Sequence, residues 1–429
     1  MRKLTLLLLT VLFMVTMVCV SKTAVAGDVG NYPGKWYGWW CPYVPWELPL
    51  AGILEEVQDQ EVIKSWGYKT GNSFEEIKDL VPECFYEEVL LNPEIWGHFR
   101  MNETAFFPTG DKPWLEATKK YKGVAFLDEK GQIQNYKAGC PFPGSTNGLE
   151  LGWNIVKRHT TGDTWLGPWA IPIVDKKGHT RWIAGENCYF FYDGRLKIDP
   201  HPVYKPNPHN YDFLQTFGYV APYDMRGTVP LIFRYNDPDK QDDMWMYIPA
   251  LRRVRRMSSA QRWDRIPGGA DVWWDSFQMF WGKPTNYDWK YIGTKKMLGS
   301  YNAKYEPQMI KGKPIGGCDN YWQRMDLVVL EAHPKIVSPL SKMVLYLDPI
   351  EYAPLWSVYY DKKGRPWVVY FYCISWERNW KRDQINMIMF DIQRTHSSNT
   401  YGRRVGHDLE WVTPEFYDME NLKQYFGGR

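Results

Sequence analysis

The sequence lacks the short motifs that mark the common catalytic and cofactor-binding sites. It contains no H-E-x-x-H, no G-x-S-x-G, no P-loop and no G-x-G-x-x-G after a strand. Its eight histidines are scattered, and the seven residues between His201 and His209, three of them proline, match no common metal-ligand spacing. No cysteine pair has C-x-x-C spacing, which disfavours zinc and thioredoxin-like sites. We therefore expect no metal ion and no cofactor.

Long apolar runs are also missing, except at the start of the chain. Arg2 and Lys3 precede an apolar run over residues 4–20, and Ala-Val-Ala at 24–26 is a small-residue cleavage pattern. The run is nearly long enough for a membrane-spanning helix, but the cleavage pattern favours a signal peptide over residues 1–26. The sequence thus predicts export to the periplasm of a Gram-negative-type envelope, or to the periphery of its outer membrane.

The exported chain has no excess of charge of one sign. Removal of Arg2, Lys3 and Lys22 reduces the 52 basic residues to 49, which equals the 49 acidic residues. A protein that neutralises phosphates needs a basic excess, so nucleic-acid binding is excluded.

Cysteine is sparse but even in number after the predicted cleavage. An oxidising compartment permits up to three disulfides among six cysteines, and we expect at least one, with the pairing open. The six are Cys41, Cys84, Cys140, Cys188, Cys318 and Cys373.

Aromatic and turn-forming residues are abundant. Phe, Trp and Tyr make up 17% of the chain, which also has 30 prolines and 35 glycines. Four turns begin with Asp and end with Gly between apolar runs, at 128–131, 175–178, 193–194 and 361–364. The Asp carboxylate opens a turn by accepting hydrogen bonds from backbone N–H groups of the turn, and Gly adopts the positive φ that closes it. Each of these four turns therefore predicts a β-hairpin. The chain is therefore expected to form a meandering antiparallel sheet.

Residues 244–292 hold the most aromatic part of the sequence. Alternation predicts one strand with Trp245 and Tyr247 on a shared face and another at 287–292. Between them, residues 271–281 predict a helix capped by Asp271 that packs into the concave side of a sheet. We expect the aromatic residues of this region either to line a cavity or to form core. The candidate ligand-binding residues are Trp245, Tyr247, Trp273, Trp274, Phe277, Phe280, Trp281, Tyr287, Trp289 and Tyr291.

Charged clusters flank the aromatic residues. An arginine-rich stretch is expected either to solvate a sheet edge or to form a cationic rim for an acidic headgroup, a partner or a membrane surface. Its candidate residues are Arg252, Arg253, Arg255, Arg256 and Arg262. The acidic cluster at 237–243 lacks the central Gly and closing Glu of an EF-hand, so we expect a solvated hairpin turn there.

The central motif resembles the domain-of-unknown-function 1329 family. The string W-x-Y-x-P-A-L-R-R-V-R-R at 245–256 and Y-x-W-K-x-x-G-x-K at 287–295 carry this resemblance. Segments 139–154 and 345–367 also fit, whereas residues 27–95 match less well. The resemblance implies a fold similar to the LolA and LolB lipoprotein carriers: a mainly β (α+β) protein with a strongly curved antiparallel sheet, an open half-barrel whose concave face is lidded by short helices. It also implies that the protein acts together with an exporter of the resistance-nodulation-division superfamily or with an outer-membrane protein.

Three functions are consistent with these features. The first is a non-catalytic carrier or adaptor for a lipid or other hydrophobic molecule. In this interpretation the chain consists of a signal peptide (1–26), an N-terminal arm and helical region (27–95) and the curved-sheet domain with a C-terminal extension (96–429). The second is a structural or interaction protein whose concavity is filled by its own side chains. The third is a glycan-directed hydrolase that uses Asp271 and Asp275 beside Trp273 and Trp274.

Overall fold

The computed structural model describes residues 77–92, 99–101, 112–158, 162–300, 307–308, 317–376, 382–403 and 406–427. Most of the predicted arm at 27–95 and the predicted signal peptide lie outside these residues. The helices are α1 (Glu83–Phe85, continued by a π-helical turn at Tyr86–Leu90), α2 (Lys112–Lys120), α3 (Gly148–Val156) and α4 (Met419–Gly427). None of the described helices is long and apolar enough to cross a membrane.

Strands dominate the fold. They are β1 (Phe99–Met101), β2 (Phe126–Leu127), β3 (Ile133–Gln134), β4 (Thr164–Val174), β5 (Thr180–Phe191), β6 (Tyr211–Ala221), β7 (Val229–Tyr235), β8 (Asp243–Ile248), β9 (Arg253–Arg256), β10 (Tyr287–Gly299), β11 (Pro307–Gln308), β12 (Gly317–Pro334), β13 (Leu340–Leu347), β14 (Pro354–Asp361), β15 (Pro366–Trp376), β16 (Arg382–Asp391), β17 (His396–Arg403) and β18 (Gly406–His407).

One large sheet consists of two meanders joined side by side. The strands from β4 to β9 pair in sequence order, as do those from β12 to β17, and β17 pairs antiparallel with β4 where the meanders meet. Leu330 of β12 pairs with Tyr291 of β10 on one side and with Leu345 of β13 on the other. Within the described chain, β9 is therefore one end of the sheet, and at the other end β12 is paired by β10 and by the short strands β1 and β11. The sheet does not close into a barrel. The predicted mainly β, curved antiparallel fold is confirmed.

Tight curvature is evident at the β10 end of the sheet. The indole N–H of Trp356 in β14 donates to the carbonyl of Leu298 in β10, over a distance of 2.5 Å. Ser300, which directly follows β10, forms an isolated bridge with Cys373 of β15. These contacts require the sheet to curl until β10 reaches strands that lie several places away in the sheet order.

Three of the four predicted tight turns are confirmed. At 175–178, the Asp175 carboxylate accepts the backbone N–H groups of Lys177 and His179, and Gly178 has a φ of 79°. The turns at 128–131 and 361–364 repeat this arrangement. The fourth prediction is wrong, because Asp193 lies in a long loop, 192–210, between β5 and β6.

The segment that connects the two ends of the sheet, residues 257–286, crosses its concave face and is called the crossing segment below. The hydroxyl of Tyr219 in β6 donates to the carbonyl of Pro267 at 3.0 Å. The hydroxyl of Tyr359 in β14 donates to the carbonyl of Met279 at 2.8 Å. Strands from both meanders thus bind this segment, and the face that they present to it is called the inner face.

The predicted helix at 271–281 is wrong. The segment forms only short 3-10 turns at Trp274–Met279, with Phe277 extended at ψ 137° and Gln278 left-handed at φ 50°. Asp271 is not a helix cap, because its carboxylate binds Arg265, His396 and Ser398. The local pattern failed here because packing against strands on both sides replaces the internal hydrogen bonds of a helix.

Candidate apolar ligand site

The inner face of β4 forms the floor of an apolar cavity. Trp165, Gly167, Trp169 and Ile171 alternate along this fully buried strand and point to the same side of the sheet. Glycine at 167 contributes no side chain between the two tryptophans, which leaves space above the strand. The cavity has a volume of about 100 Å³. It is lined by Trp165, Gly167, Pro168, Trp169, Ile171, Asn187, Phe217, Ile266, Val272, Phe277, Gln278, Tyr372, Met387 and Thr400.

The roof of the cavity comes from the crossing segment. Phe277 lies with its ring centroid 5.2 Å from that of Phe217 in β6, and Trp274 packs on the same ring at 5.3 Å. Ile266 and Val272 complete the roof. Because the walls come from β15, β16 and β17 as well as β4 to β6, the cavity lies where the two meanders meet.

A buried arginine holds the end of the roof. Nη2 of Arg158, which follows α3, donates to the backbone carbonyl of Gln278 at 3.2 Å and to its side-chain oxygen at 2.8 Å. Gln278 and Met279 have φ of 50° and 66°, a conformation that costs non-glycine residues on the order of 1 kcal/mol or more. The roof is therefore an irregular turn fixed by outside contacts, with no helical ladder of its own.

Of the ten aromatic candidates, Phe277 alone is among the residues that line the cavity. Trp273 stacks on Tyr359 at 5.7 Å, and Trp281 packs on Tyr189 at 5.5 Å. Phe280 contacts Tyr287 and Trp289 at 5.1 and 5.0 Å. Tyr291 is half-buried against the main core. These side chains form core around the cavity.

Trp245 and Tyr247 lie on the opposite face of the sheet. In β8 they pair with Leu231 and Val229, whereas Met244 pairs with Ile232 of the inner face. Directly paired residues of antiparallel strands share a face, so both aromatic side chains point away from the cavity. The two side chains share a face, as predicted, but that face is the outer one and not the ligand-binding side.

Most of the lining residues were not predicted from the sequence. Trp165, Trp169 and Ile171 belong to the run TWLGPWAIPIV, in which both strand faces are buried and no polar alternation is visible. Glycine between two tryptophans on one face was the available signal. Phe217, Tyr372 and Met387 come from distant strands that only the tertiary pairing brings together.

The arginine-rich candidates separate into two groups. Arg252, Arg253, Arg255 and Arg256 are exposed on and beside β9. Arg262, by contrast, is buried, with Nη1 3.5 Å from Asp275 Oδ2 and Nη2 3.9 Å from Asp242 Oδ2. The expectation that Arg262 belongs to a surface rim is therefore wrong.

The turn at 237–243 is not fully solvated either. The Asp242 side chain is 4% exposed and accepts from Arg234 Nη2 at 2.9 Å. Burial opposes its ionisation, but Arg234, Lys283 and Arg262 outweigh that effect and hold its pKa below the ordinary value. Burial raises the pKa of Asp275 and lowers that of Lys283. This buried charge network fixes the crossing segment to the β7–β8 hairpin.

Neither candidate catalytic carboxyl lines the cavity. Asp271 is fully buried and binds Arg265 at 2.6 Å and His396 at 2.5 Å. The Asp275 side chain is 4% exposed and lies 3.5 Å from both Arg262 and the Tyr287 hydroxyl. Both carboxyl groups are enclosed by protein partners and are not presented to a substrate-sized space.

A second, polar cavity of about 420 Å³ lies beyond the β2–β3 hairpin. Its walls include amide and carboxyl groups such as Asn135, Asn210, Asn236 and Asp193, with Lys157. Asn236 Nδ2 donates to Asp193 at 2.9 Å and to Asn210 at 3.4 Å. These polar walls do not suit an apolar guest.

None of the cysteines in the described part of the chain lines the cavity. Cys373 is disulfide-bonded, which confirms the expectation of at least one disulfide. Cys84, Cys140 and Cys188 are free, and burial raises the pKa of each thiol to about 12. The three thiols are therefore neutral and poorly reactive at physiological pH.

Comparison with known proteins relates the chain to several bacterial proteins. It is 29% identical over 270 residues to an uncharacterized protein of Pseudomonas aeruginosa, and this alignment spans 59% of the chain and 57% of the relative's length. Solved structures that resemble 64% of the chain include a DUF1329 family protein from Desulfovibrio piger, covered over 97% of its length at 17% identity and a TM-score of 0.47. An outer-membrane lipoprotein-sorting protein domain from Vibrio parahaemolyticus is covered over 98% at 18% identity and a TM-score of 0.46.

The chain also resembles a solved LolA superfamily protein from Nitrosomonas europaea, at 11% identity and a TM-score of 0.42. The alignment covers 64% of this chain and 99% of that protein. The family model described as protein of unknown function (DUF1329) matches residues 100–415. This match extends over well over half of the sequence and includes both meanders and the crossing segment. The chain belongs to the DUF1329 family.

Proposed function

We propose that the protein is a non-catalytic carrier or binding protein for a lipid or other apolar molecule, held in the cavity between β4 and the crossing segment. The observation that carries this proposal is the apolar cavity itself, which remains open although aromatic side chains pack around it. A protein that needs only a stable core fills such a space, because an empty cavity costs stability in proportion to its volume.

The size of the cavity limits what it holds without rearrangement. Cavities of about 150 Å³ with apolar walls accept a benzene ring, so about 100 Å³ accepts a segment of a few carbons. Burial of a methylene contributes about 0.8 kcal/mol, so a five-carbon segment contributes about 4 kcal/mol before ordering costs. A longer chain requires the roof to move. Reversible binding of this strength suits a protein that takes up and releases its ligand.

The roof is built so that it can move without disturbing a strand. Phe277 and Gln278 lie between turns, and side-chain hydrogen bonds from Arg158 and Tyr359 hold this part of the roof together with ring packing on Phe217. Displacing Phe277 and Gln278 breaks these contacts and leaves the paired strands intact, while the ion pair of Asp275 with Arg262 continues to hold the rest of the crossing segment.

The place of action follows from the N-terminal pattern and the family resemblance. We infer that cleavage near Ala26 releases the protein into the periplasm, where it is free or attached to the periphery of the outer membrane. Its partners would then include an exporter of the resistance-nodulation-division superfamily or an outer-membrane protein. These assignments are part of the proposal and do not depend on the cavity.

The self-filled structural protein is the second candidate. It is favoured by the dense aromatic packing of Trp273 on Tyr359 and of Trp281 on Tyr189. It leaves the apolar cavity without a role. The hypothesis of a hydrolase is not supported, because the carboxyl groups of Asp271 and Asp275 are enclosed by protein partners.

Binding of the neutral apolar dye N-phenyl-1-naphthylamine tests the location of the site. The three rings of the dye exceed the closed cavity, so the dye binds once the roof has moved and then contacts the displaced Phe277 ring. Phe277→Ala removes that contact, so we expect binding to weaken roughly tenfold, the loss of about 1.4 kcal/mol. Trp245→Ala is the matched control, because this ring lies on the opposite face. Equal weakening by both substitutions, or an unchanged affinity in Phe277→Ala, contradicts the proposed site. Fluorescence titration measures both variants.

A further inference from the structure

The strand β9 forms an exposed end of the large sheet. It pairs with β8, and within the described chain no strand pairs with its other side. All four of its residues are exposed, as are Leu251 and Arg252 just before it. Unpaired sheet edges bind other molecules unless charge or shape prevents it, so the chemistry of this edge determines what it contacts.

Four arginines concentrate positive charge at this edge. Arg252, Arg253, Arg255 and Arg256 lie within five consecutive residues. In the described part of the structure, Arg256 is the member of this group that forms an ion pair, with Asp243 of β8. The remaining cationic groups face solvent on a chain whose other charges nearly balance. An anionic partner is the chemistry that complements this edge.

Apolar and aromatic side chains are interleaved with the arginines. Val254 pairs with Tyr247 and Arg256 pairs with Trp245, so these four residues share the outer face. Trp245 and Tyr247 are half-buried, and Val254 and Leu251 are 42% and 46% exposed. Trp and Tyr prefer the boundary between water and lipid, and arginine beside them contacts lipid phosphates. An acidic protein surface explains the arginines but not the exposed apolar groups between them.

We propose that the β9 edge, residues 251–256 together with Trp245 and Tyr247, binds the surface of an anionic phospholipid bilayer. The edge is continuous with the crossing segment, and Ile266 of the cavity roof follows Arg256 by ten residues. Docking at this edge therefore brings the roof close to the membrane. The inference stands on the edge alone and does not require that the cavity hold a ligand.

Co-sedimentation with phospholipid vesicles tests the proposal. The chain from residue 27 onward is mixed with vesicles of phosphatidylglycerol or of phosphatidylcholine at low ionic strength. We expect roughly tenfold or greater preference for phosphatidylglycerol, lost in high salt as counterions screen the arginines. Equal binding to both lipids, or no binding to phosphatidylglycerol, overturns the proposal.

Matched variants locate the contact on the molecule. Replacing Arg252, Arg253, Arg255 and Arg256 by Gln is expected to reduce vesicle binding roughly tenfold or more. Replacing four exposed lysines by Gln removes the same charge elsewhere and should leave binding within about twofold; they are Lys112, Lys119, Lys120 and Lys122. Similar losses in both variants overturn the assignment to β9. Circular dichroism checks that each variant is folded.

A third substitution separates the lipid contact from pure charge attraction. Leu251→Ser with Val254→Ser keeps all four arginines and is expected to weaken vesicle binding several-fold, because two apolar contacts with the interface are lost. Unchanged binding contradicts a membrane interface. Dye binding in solution is measured on the same variants, so that a failure of the cavity proposal and a failure at the β9 edge give different results.

Discussion

Burial controls the ionisation of Asp348, a carboxyl group in the loop after β13. The carboxylate accepts three backbone N–H groups, from Ile350, Glu351 and Ala353, each at 2.9 Å. Burial nevertheless raises its pKa from 3.8 to about 6, and the nearby Glu351 adds to that effect. Desolvation therefore outweighs the three hydrogen bonds, and the folded protein holds this proton at pH values where the unfolded chain has lost it.

The raised pKa of Asp348 predicts a stability that falls as the pH rises. Its stabilising contribution is fully present below pH 3.8 and is lost as the pH passes through about 6. The loss amounts to about 3 kcal/mol at 1.36 kcal/mol per pKa unit. In Asp348→Asn this part of the pH dependence should disappear, although one acceptor oxygen is lost at every pH. Urea unfolding of both proteins at pH 4 and pH 7 measures the difference, and parallel pH profiles would refute the assignment.

At the scale of elements, the C-terminal helix α4 covers the outer face of β6 and β7. Phe426 is 3% exposed and lies against Gly218 of β6, whose neighbours Phe217 and Tyr219 point to the inner face. A Cβ atom at position 218 would lie 2.1 Å from the Phe426 ring. The absence of a side chain at 218 is what allows the helix to dock.

A double substitution tests this docking. Gly218→Ala alone should lower the free energy of unfolding by about 2 kcal/mol, because the added methyl group forces the Phe426 ring away. In a Phe426→Ala background, which itself costs about 3 kcal/mol, the same Gly218→Ala change should cost less than half as much. Additive losses in urea unfolding would show that the two positions do not contact each other.

Local turn chemistry explains which elements were predictable. The hairpins at 175–178 and 361–364 are specified within a few residues by Asp and Gly, and β10 shows its alternation from Tyr287 onward. The segment 271–281 has helical spacing but takes its conformation from ring packing on β6 and from hydrogen bonds to β14 and β15, which are distant in sequence. Contacts of this kind leave no local pattern, so the helix was predicted wrongly.

At the scale of the whole molecule, the site depends on pairings that the sequence does not reveal. The meeting of β17 with β4 and the pairing of β10 with β12 decide which strand faces surround the crossing segment. Of the aromatic residues predicted at 273–281, Phe277 lies in the roof of the cavity, whereas the floor residues Trp165 and Trp169 were not predicted. Trp245 could be assigned a face only after the register of β8 with β7 was known.

The central claim is that the cavity between the two meanders holds a molecule other than the protein's own side chains. Its most direct test is organic extraction of the purified protein followed by mass spectrometry, alongside Gly167→Leu, which fills the cavity floor. We expect a lipid or other apolar compound bound to the unaltered protein at roughly one equivalent, and about fivefold less, or about 1 kcal/mol, in the folded variant. Absence of such a compound, or equal amounts in both proteins, would contradict it.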